Sequence, residues 1–85
     1  MSPWPRELWN QLKNITVDEL IRALEQDGWV LARTKGARRW YRHPSGRGVS
    51  VHYHPRKTFS PKLLRWLLEH IGWSESDLKR LKLVR

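Results

Sequence analysis

Residues 38–54 read RRWYRHPSGRGVSVHYH, and this stretch decides the fold. Its first and last runs, residues 38–43 and 49–54, have the length of strands and are rich in aromatic and β-branched side chains. Between them, residues 44–48 contain the proline, serine and glycines that are typical of a turn. The stretch therefore predicts an antiparallel hairpin.

The loop length sets which residues face each other across this hairpin. With residues 44–48 as the loop, Arg38 faces His54 and Trp40 faces His52. Side chains alternate between the two faces of a strand, and those expected toward the core are Tyr41, Val49, Val51 and Tyr53. The open face is expected to carry Arg38, Trp40, Arg42, Ser50, His52 and His54. A one-residue slip would expose both valines and bury two histidines without partners, so we prefer this register.

Helical patterns precede and follow the strands. A capping box that begins at Thr16 predicts a helix over residues 17–27, and a strand over residues 29–33 follows it. A second helix is expected over residues 61–72 and a short last helix over residues 75–82. The order α-β-β-β-α describes an α+β domain, a three-stranded antiparallel sheet with helices on one face.

We place the domain at residues 16–85, and an extension of residues 1–15 precedes it. Within the extension, apolar residues recur at helical spacing, which predicts a short helix over residues 4–13. A helix this short is marginal alone and must dock on something. It either caps an open edge of the core or presents Trp4 and Trp9 to another chain, and the sequence supports both interpretations equally.

The composition excludes several classes of protein. The chain has 85 residues and no cysteine, so it has neither a disulfide framework nor thiolate ligands for zinc. It has no stretch resembling a signal peptide and no run of about 18 apolar residues, so we expect a cytoplasmic protein. We predict no cofactor and no metal site.

Positive charge is concentrated in one part of the chain. The net charge is +9, and residues 28–68 contain ten Lys and Arg but no Asp or Glu. A polyanionic partner is indicated, and the aromatic rings among the cations favour RNA, whose bases stack on such rings. A membrane surface is the weaker alternative, because the cations fall on strand-like sequence rather than on an amphipathic helix. The plainest alternative is a solvated basic face.

The candidate RNA contacts lie on the strands and around the start of the second helix. They are Arg33, Lys35, Arg38, Trp40, Arg42, Arg56, Lys57, Lys62 and Arg65. Free amides and the dipole at the start of that helix add to its attraction for an anion. Trp40 also has a structural interpretation, as a ring that covers the sheet or packs under the N-terminal helix.

The ordered motifs of residues 16–82 resemble the HicA toxins, small ribonucleases of bacterial toxin–antitoxin pairs with a double-stranded-RNA-binding-like fold. The matching pieces are Leu20-Ile21 with Leu24, Gly28-Trp29, Arg33 to Ala37, Tyr41 to Gly46, Val51 to His54, and Leu64 through Ile71-Gly72-Trp73-Ser74. The resemblance implies RNA cleavage and a HicB-like antitoxin as partner. Residues 1–15 match nothing in the family.

One position departs from the family pattern. The family's Gly-Ser-His segment reads Gly36-Ala37-Arg38 here, so Arg38 stands where the resemblance places the catalytic histidine. A neutral imidazole can take a proton from a ribose hydroxyl, whereas a guanidinium stays protonated and only binds or stabilises phosphate charge. The protein therefore either binds RNA without cutting it or uses another histidine.

His54 is the first candidate for that task, because it matches the family's second histidine position and the predicted register places it across from Arg38. His52 is the second candidate, and the two could act as acid and base around a phosphate held by Arg38. The alternative is that both are ordinary partly solvated strand residues. His43 and His70 are interpreted as structural.

Two hypotheses of function follow. In the first, a HicA-like protein binds RNA through the open sheet face and the start of the second helix, with or without cleavage. In the second, the chain is a non-catalytic interaction module whose basic surface meets an acidic, antitoxin-like protein.

Overall fold

The computed structural model describes residues 5–54 and 56–85. In this part of the chain, the helices are α1 (Arg6–Leu12), α2 (Val17–Gln26), α3 (Pro61–Ile71) and α4 (Glu75–Arg80). The strands are β1 (Val30–Lys35), β2 (Arg38–Arg42) and β3 (Gly48–His52), and they form one antiparallel sheet in the order β1-β2-β3. The predicted α+β class and the order α-β-β-β-α, with an additional short helix at each end, are confirmed.

The helices begin where their capping residues predicted. The Thr16 hydroxyl accepts from the Glu19 amide at 3.2 Å, and the Glu19 carboxylate accepts from the Thr16 amide at 3.1 Å. Ser60 caps α3 with Pro61 in the first turn, and Ser74 opens α4 with a second capping box. These side chains satisfy first-turn amides that have no partner within the helix.

The core lies between the helices and one face of the sheet. Its most deeply buried helical side chains are Leu12, Leu20, Leu24, Leu64, Leu67, Leu68, Ile71 and Leu78. The sheet contributes Tyr41, Val49 and Val51, as the alternation predicted. Leu8 and Leu12 bury α1 in this core, so the helix caps the domain, while Trp4 lies outside the described residues.

A β-bulge decides which side chains of β1 join the open face. Leu31 pairs with Tyr41 and Arg33 pairs with Trp40, so the register shifts at the residue between them. Facing residues of an antiparallel pair lie on the same side of a sheet. The bulge therefore leaves Leu31 on the core side but turns Arg33 to the open side. The strand also runs to Lys35, two residues beyond the predicted end.

The predicted hairpin register is wrong by two residues. Arg38 pairs with His52 and Arg42 pairs with Gly48, because the loop is two residues shorter than expected and the pairing on the second strand starts two residues earlier. The His43 amide donates to the Arg47 carbonyl at 2.9 Å, which leaves a three-residue loop ending at Gly46 with a φ of 97°. His54 is therefore not opposite Arg38. A shift of two preserves the alternation, so the assignment of faces is unaffected.

Asp27 ties α4 to the end of α2. Its carboxylate accepts hydrogen bonds from the indoles of Trp29 and Trp73 at 3.2 and 2.7 Å and from Arg80 at 2.6 Å. Partial burial alone would raise the pKa of Asp27, but the hydrogen bonds from Trp73, Arg80 and Trp29 and the charge of Arg80 together lower it below its ordinary value. Trp73 and Arg80 thereby anchor α4 to the end of α2, and Trp29 adds a local hydrogen bond.

Candidate nucleic-acid interface

The face of the sheet that the helices leave uncovered is cationic. The β-pairing places four basic side chains on it, Arg33, Lys35, Arg38 and Arg42. Trp40, Ser50 and His52 share this face, as the sequence predicted. Within residues 5–54 and 56–85, the basic residues that form ion pairs are Lys79 and Arg80. The four basic side chains of the open face therefore have no acidic partner in this part of the chain. They remain available to a polyanion.

A groove of about 450 Å³ runs between β3 and α3. Its rim is basic and polar, with Arg38, His52, His54, Lys57 and Ser60. Its apolar side is formed by residues that include Val17, Phe59, Leu63, Trp66 and Leu67. The groove thus adjoins the cationic face and adds apolar surface to it.

Arg38, His52 and His54 meet at one end of this groove. Arg38 and His52 are paired across the sheet, and the rings of His52 and His54 touch edge to face with centroids 4.4 Å apart. Strand β3 ends at His52, and the chain turns tightly there, since the His54 amide donates to the His52 carbonyl at 3.1 Å. This turn is what brings His54 to the groove although it is not paired with Arg38.

Two tryptophans belong to this region: Trp66 lines the groove, and Trp40 lies on the open face outside the lining of the groove. Trp40 is partly buried on the open face, and the Arg33 guanidinium lies 5.2 Å from its ring centroid. Trp66 on α3 is 46% exposed. Trp66 was not among the predicted contacts, although its signal was present in the sequence. The core stripe of α3 is Leu64, Leu67, Leu68 and Ile71, and position 66 falls outside it.

The predicted contacts around the start of α3 are distributed unevenly. Lys57 lines the groove, and its carbonyl accepts from the Val17 amide at 2.9 Å, which fixes its backbone. Arg56 and Lys62 are exposed near the first turn of α3 but do not line the groove. Arg65 lies elsewhere, because its guanidinium packs 5.4 Å from the ring centroid of Trp9 on α1. The geometry does not bring Arg65 together with the open face.

The two remaining histidines, His43 and His70, have structural neighbours. His43 accepts from the Ser45 amide at 3.1 Å in the hairpin loop and packs against Trp29 with centroids 5.3 Å apart. His70 stacks on Trp66 with centroids 3.9 Å apart, and its Nδ1 lies 2.9 Å from the Trp66 carbonyl. Neither lines the groove.

Arg47 belongs to the basic segment but serves the fold. Its Nη1 donates to the Ile71 carbonyl at 2.9 Å, where α3 ends and the chain turns at Gly72. A cation at this end of a helix satisfies a carbonyl that has no partner within the helix and opposes the negative end of the dipole. One cation of the segment is thereby removed from the set available to a ligand.

Neither a metal cluster nor a membrane span is found in residues 5–54 and 56–85. No three His, Asp or Glu side chains of these residues gather in a way that could hold a metal ion. No helix in the same residues combines the length and apolar character needed to cross a bilayer.

Comparison with known proteins gave one family. The family model described as HicA toxin of bacterial toxin-antitoxin matches residues 17–73, which run from the start of α2 to just beyond α3. A search of curated proteins found no match. The matched residues include the whole sheet and both sides of the groove, but not α1 or α4.

Proposed function

Because this chain belongs to the HicA toxin family of bacterial toxin–antitoxin systems, we propose that it binds RNA on the open face and cleaves it in the groove. The observation that carries the proposal is the meeting of Arg38, His52 and His54 beside a cationic surface. These residues supply a fixed positive charge and two proton-transfer groups within reach of one phosphate. The RNA backbone would follow the basic side chains of β1 and β2 into the groove.

The chemistry that suits these groups is attack by a ribose 2′-oxygen on the adjacent phosphorus. One imidazole takes the proton from the 2′-hydroxyl, and the other gives a proton to the leaving 5′-oxygen. The P–O5′ bond breaks as the new P–O2′ bond forms, which leaves a 2′,3′-cyclic phosphate. Arg38 opposes the negative charge that grows on the phosphate oxygens. Because the two rings touch, the phosphate would lie against their exposed edges rather than between them.

The test is cleavage of a labelled single-stranded RNA by the wild-type protein and by H52A, H54A and the double variant. We expect each single variant to lose most of the activity, because general acid and base catalysis each contribute about 100-fold or more. His43→Ala is the matched control, since this imidazole lies in the hairpin loop outside the groove. Full cleavage by H54A would remove His54 from the role, and RNA binding without cleavage by the wild type would leave a binding protein only.

A second candidate function, binding of an acidic antitoxin-like protein, is favoured by the free edge of the sheet. All six residues of β1 are exposed, with Val30 63% and Leu31 44% accessible. An uncovered edge strand offers backbone groups to a strand of another chain, and Arg33 and Lys35 would favour one that carries carboxylates.

This candidate is tested with the product of a neighbouring small acidic gene. Co-purification that is lost in a Leu31→Lys variant, while RNA binding is kept, would support an interface on β1. A complex that survives the substitution would place the antitoxin elsewhere.

A further inference from the structure

Trp66 stands where two depressions of the surface meet. It lines the groove beside β3 and also a neighbouring depression of about 670 Å³ on the open face. Trp40, Ser50 and Arg42 line the second depression together with Trp66. The two indoles thus line one depression together with a serine, two arginines and apolar residues.

The exposure of Trp66 is not explained by the packing of α3. The neighbouring positions Leu64 and Leu67 are buried to 0% and 1% exposure, whereas Trp66 remains 46% exposed. Large aromatic rings stabilise a fold strongly when they are buried. A half-exposed indole therefore contributes much less to stability than a buried indole would. His70 stacks on Trp66, which holds the ring in one orientation without covering it.

The surroundings of the two rings select the class of ligand. Arg33 lies against Trp40, and Arg42 lines the same depression, while no Asp or Glu among the described residues does so. Ser50 also lines the depression, and a serine hydroxyl can both donate and accept a hydrogen bond. A flat ring with polar edges, attached to a phosphate, could stack on the indoles, form a hydrogen bond with the hydroxyl and place its phosphate near the cations. A purely apolar ligand would leave the cations without partners.

We infer that the depression between Trp40 and Trp66 is a nucleobase subsite that takes one unstacked base of a single-stranded RNA. The inference rests on the proposed function, because the same RNA would reach Arg38, His52 and His54 in the adjoining groove. Trp66 is shared by both depressions, so the base subsite lies next to the proposed site of cleavage.

The subsite sets a preference for RNA structure. Bases of a duplex are stacked and paired, so a duplex cannot supply a free base to this depression. A single strand would gain stacking on Trp66 in addition to its phosphate contacts. A duplex would gain the phosphate contacts alone.

The experiment compares two labelled oligonucleotides of equal length, a 2′-O-methyl oligoribonucleotide that resists cleavage and its abasic counterpart. Both oligonucleotides carry the same phosphates, so the difference between their Kd values measures the contribution of the bases to binding. We expect the wild-type protein to bind the base-containing oligonucleotide about 5- to 150-fold more tightly. Trp66→Leu should remove most of this difference, and Trp66→Phe should keep part of it. Trp9→Leu is the control, because this ring lies with Arg65 away from both depressions.

The outcomes separate the inference from the proposed function. Equal binding of both oligonucleotides by the wild type would overturn the base subsite and leave a phosphate-binding surface. Equal effects of Trp66→Leu on both oligonucleotides would overturn the role of Trp66. Binding of neither oligonucleotide at low salt would overturn the proposed RNA function itself. If Trp66→Leu unfolds, as thermal unfolding would reveal, the wild-type comparison and Trp66→Phe decide the matter.

Discussion

Arg38 and His52 face each other across the pairing of β2 with β3. Directly opposed residues in an antiparallel sheet have Cβ atoms about 4.5–5.5 Å apart, so the backbone places these two side chains next to each other on the open face. His54 reaches the same place from the turn that follows β3. The backbone pairing of the sheet thus positions Arg38 and His52 in the proposed cleavage site, and the turn after β3 positions His54.

This pairing predicts the effect of substitutions at Arg38. If the guanidinium stabilises phosphate charge, Arg38→Gln should lower RNA cleavage about 100-fold, as removal of one electrostatic contact in an active site typically does. Arg38→His should lower RNA cleavage as well, since an imidazole does not replace the fixed charge of the guanidinium. Initial rates on a labelled single-stranded RNA measure both changes. Faster cleavage by Arg38→His would instead mean that the natural chain has lost its catalyst.

The salt dependence of RNA binding should report the open face. Each phosphate that a cation neutralises contributes about 0.7 to the slope of log K against log salt for a single strand. We therefore expect Arg33→Gln and Arg42→Gln each to reduce that slope by about 0.7. Arg65→Gln should leave it unchanged, because this guanidinium lies on Trp9. Titrations at several salt concentrations provide the measurement, and an equal effect of Arg65→Gln would relocate the binding surface.

The faces of the hairpin could be predicted from the sequence, but its exact pairing could not. Tyr41, Val49 and Val51 are apolar at alternate positions, and only one parity buries all three. A three-residue loop and a five-residue loop both fit PSGRG and both preserve this parity. The sequence had no signal that separated them, and the choice decided whether His52 or His54 faces Arg38.

The bulge in β1 and the exposure of Trp66 were also not predicted. The segment Val30–Lys35 has no glycine and no clean alternation, so nothing in it marks the residue at which the register shifts. Trp66 is apolar, so its residue type alone does not distinguish it from the core residues of α3. Only the angular position of Trp66, beside the stripe of Leu64, Leu67 and Leu68, indicates that it is exposed.

The hydrogen bonds to the Asp27 carboxylate predict that the protein loses stability in acid. The pKa of Asp27 lies below its ordinary value of 3.8 because the hydrogen bonds from Trp73, Arg80 and Trp29 outweigh its partial burial. A carboxyl with a lowered pKa contributes stability that is fully present above its unfolded value and is lost as pH falls through the folded value. Asp27→Asn should therefore cost about 1–2 kcal/mol in the free energy of unfolding at pH 7. The difference from the wild type should shrink below pH 4.

Urea unfolding at pH 7 and in a series below pH 4 measures this difference. Glu75→Gln is a suitable control, because Glu75 forms only an exposed pair with Lys79 at 3.7 Å. Its substitution should change the free energy of unfolding by less than about 0.5 kcal/mol. A penalty for Asp27→Asn that stays constant from pH 7 to pH 2 would show that packing, and not the charge of Asp27, anchors α4.

The end of α3 predicts unequal costs for two glycine substitutions. Gly72 and Gly46 both have positive φ, 81° and 97°, so alanine at either should cost about 1–2 kcal/mol of backbone strain. A Cβ at Gly72 would in addition collide with the Arg47 guanidinium, whereas none of the described atoms lies within 4 Å of a Cβ at Gly46. Gly72→Ala should therefore cost about 1 kcal/mol more, since Arg47 must leave the Ile71 carbonyl. In an Arg47→Ala background this extra cost should vanish, and a double-mutant cycle of urea unfolding measures it. If the two glycines remain unequal in that background, their difference lies in the backbone and not in the Arg47 cap.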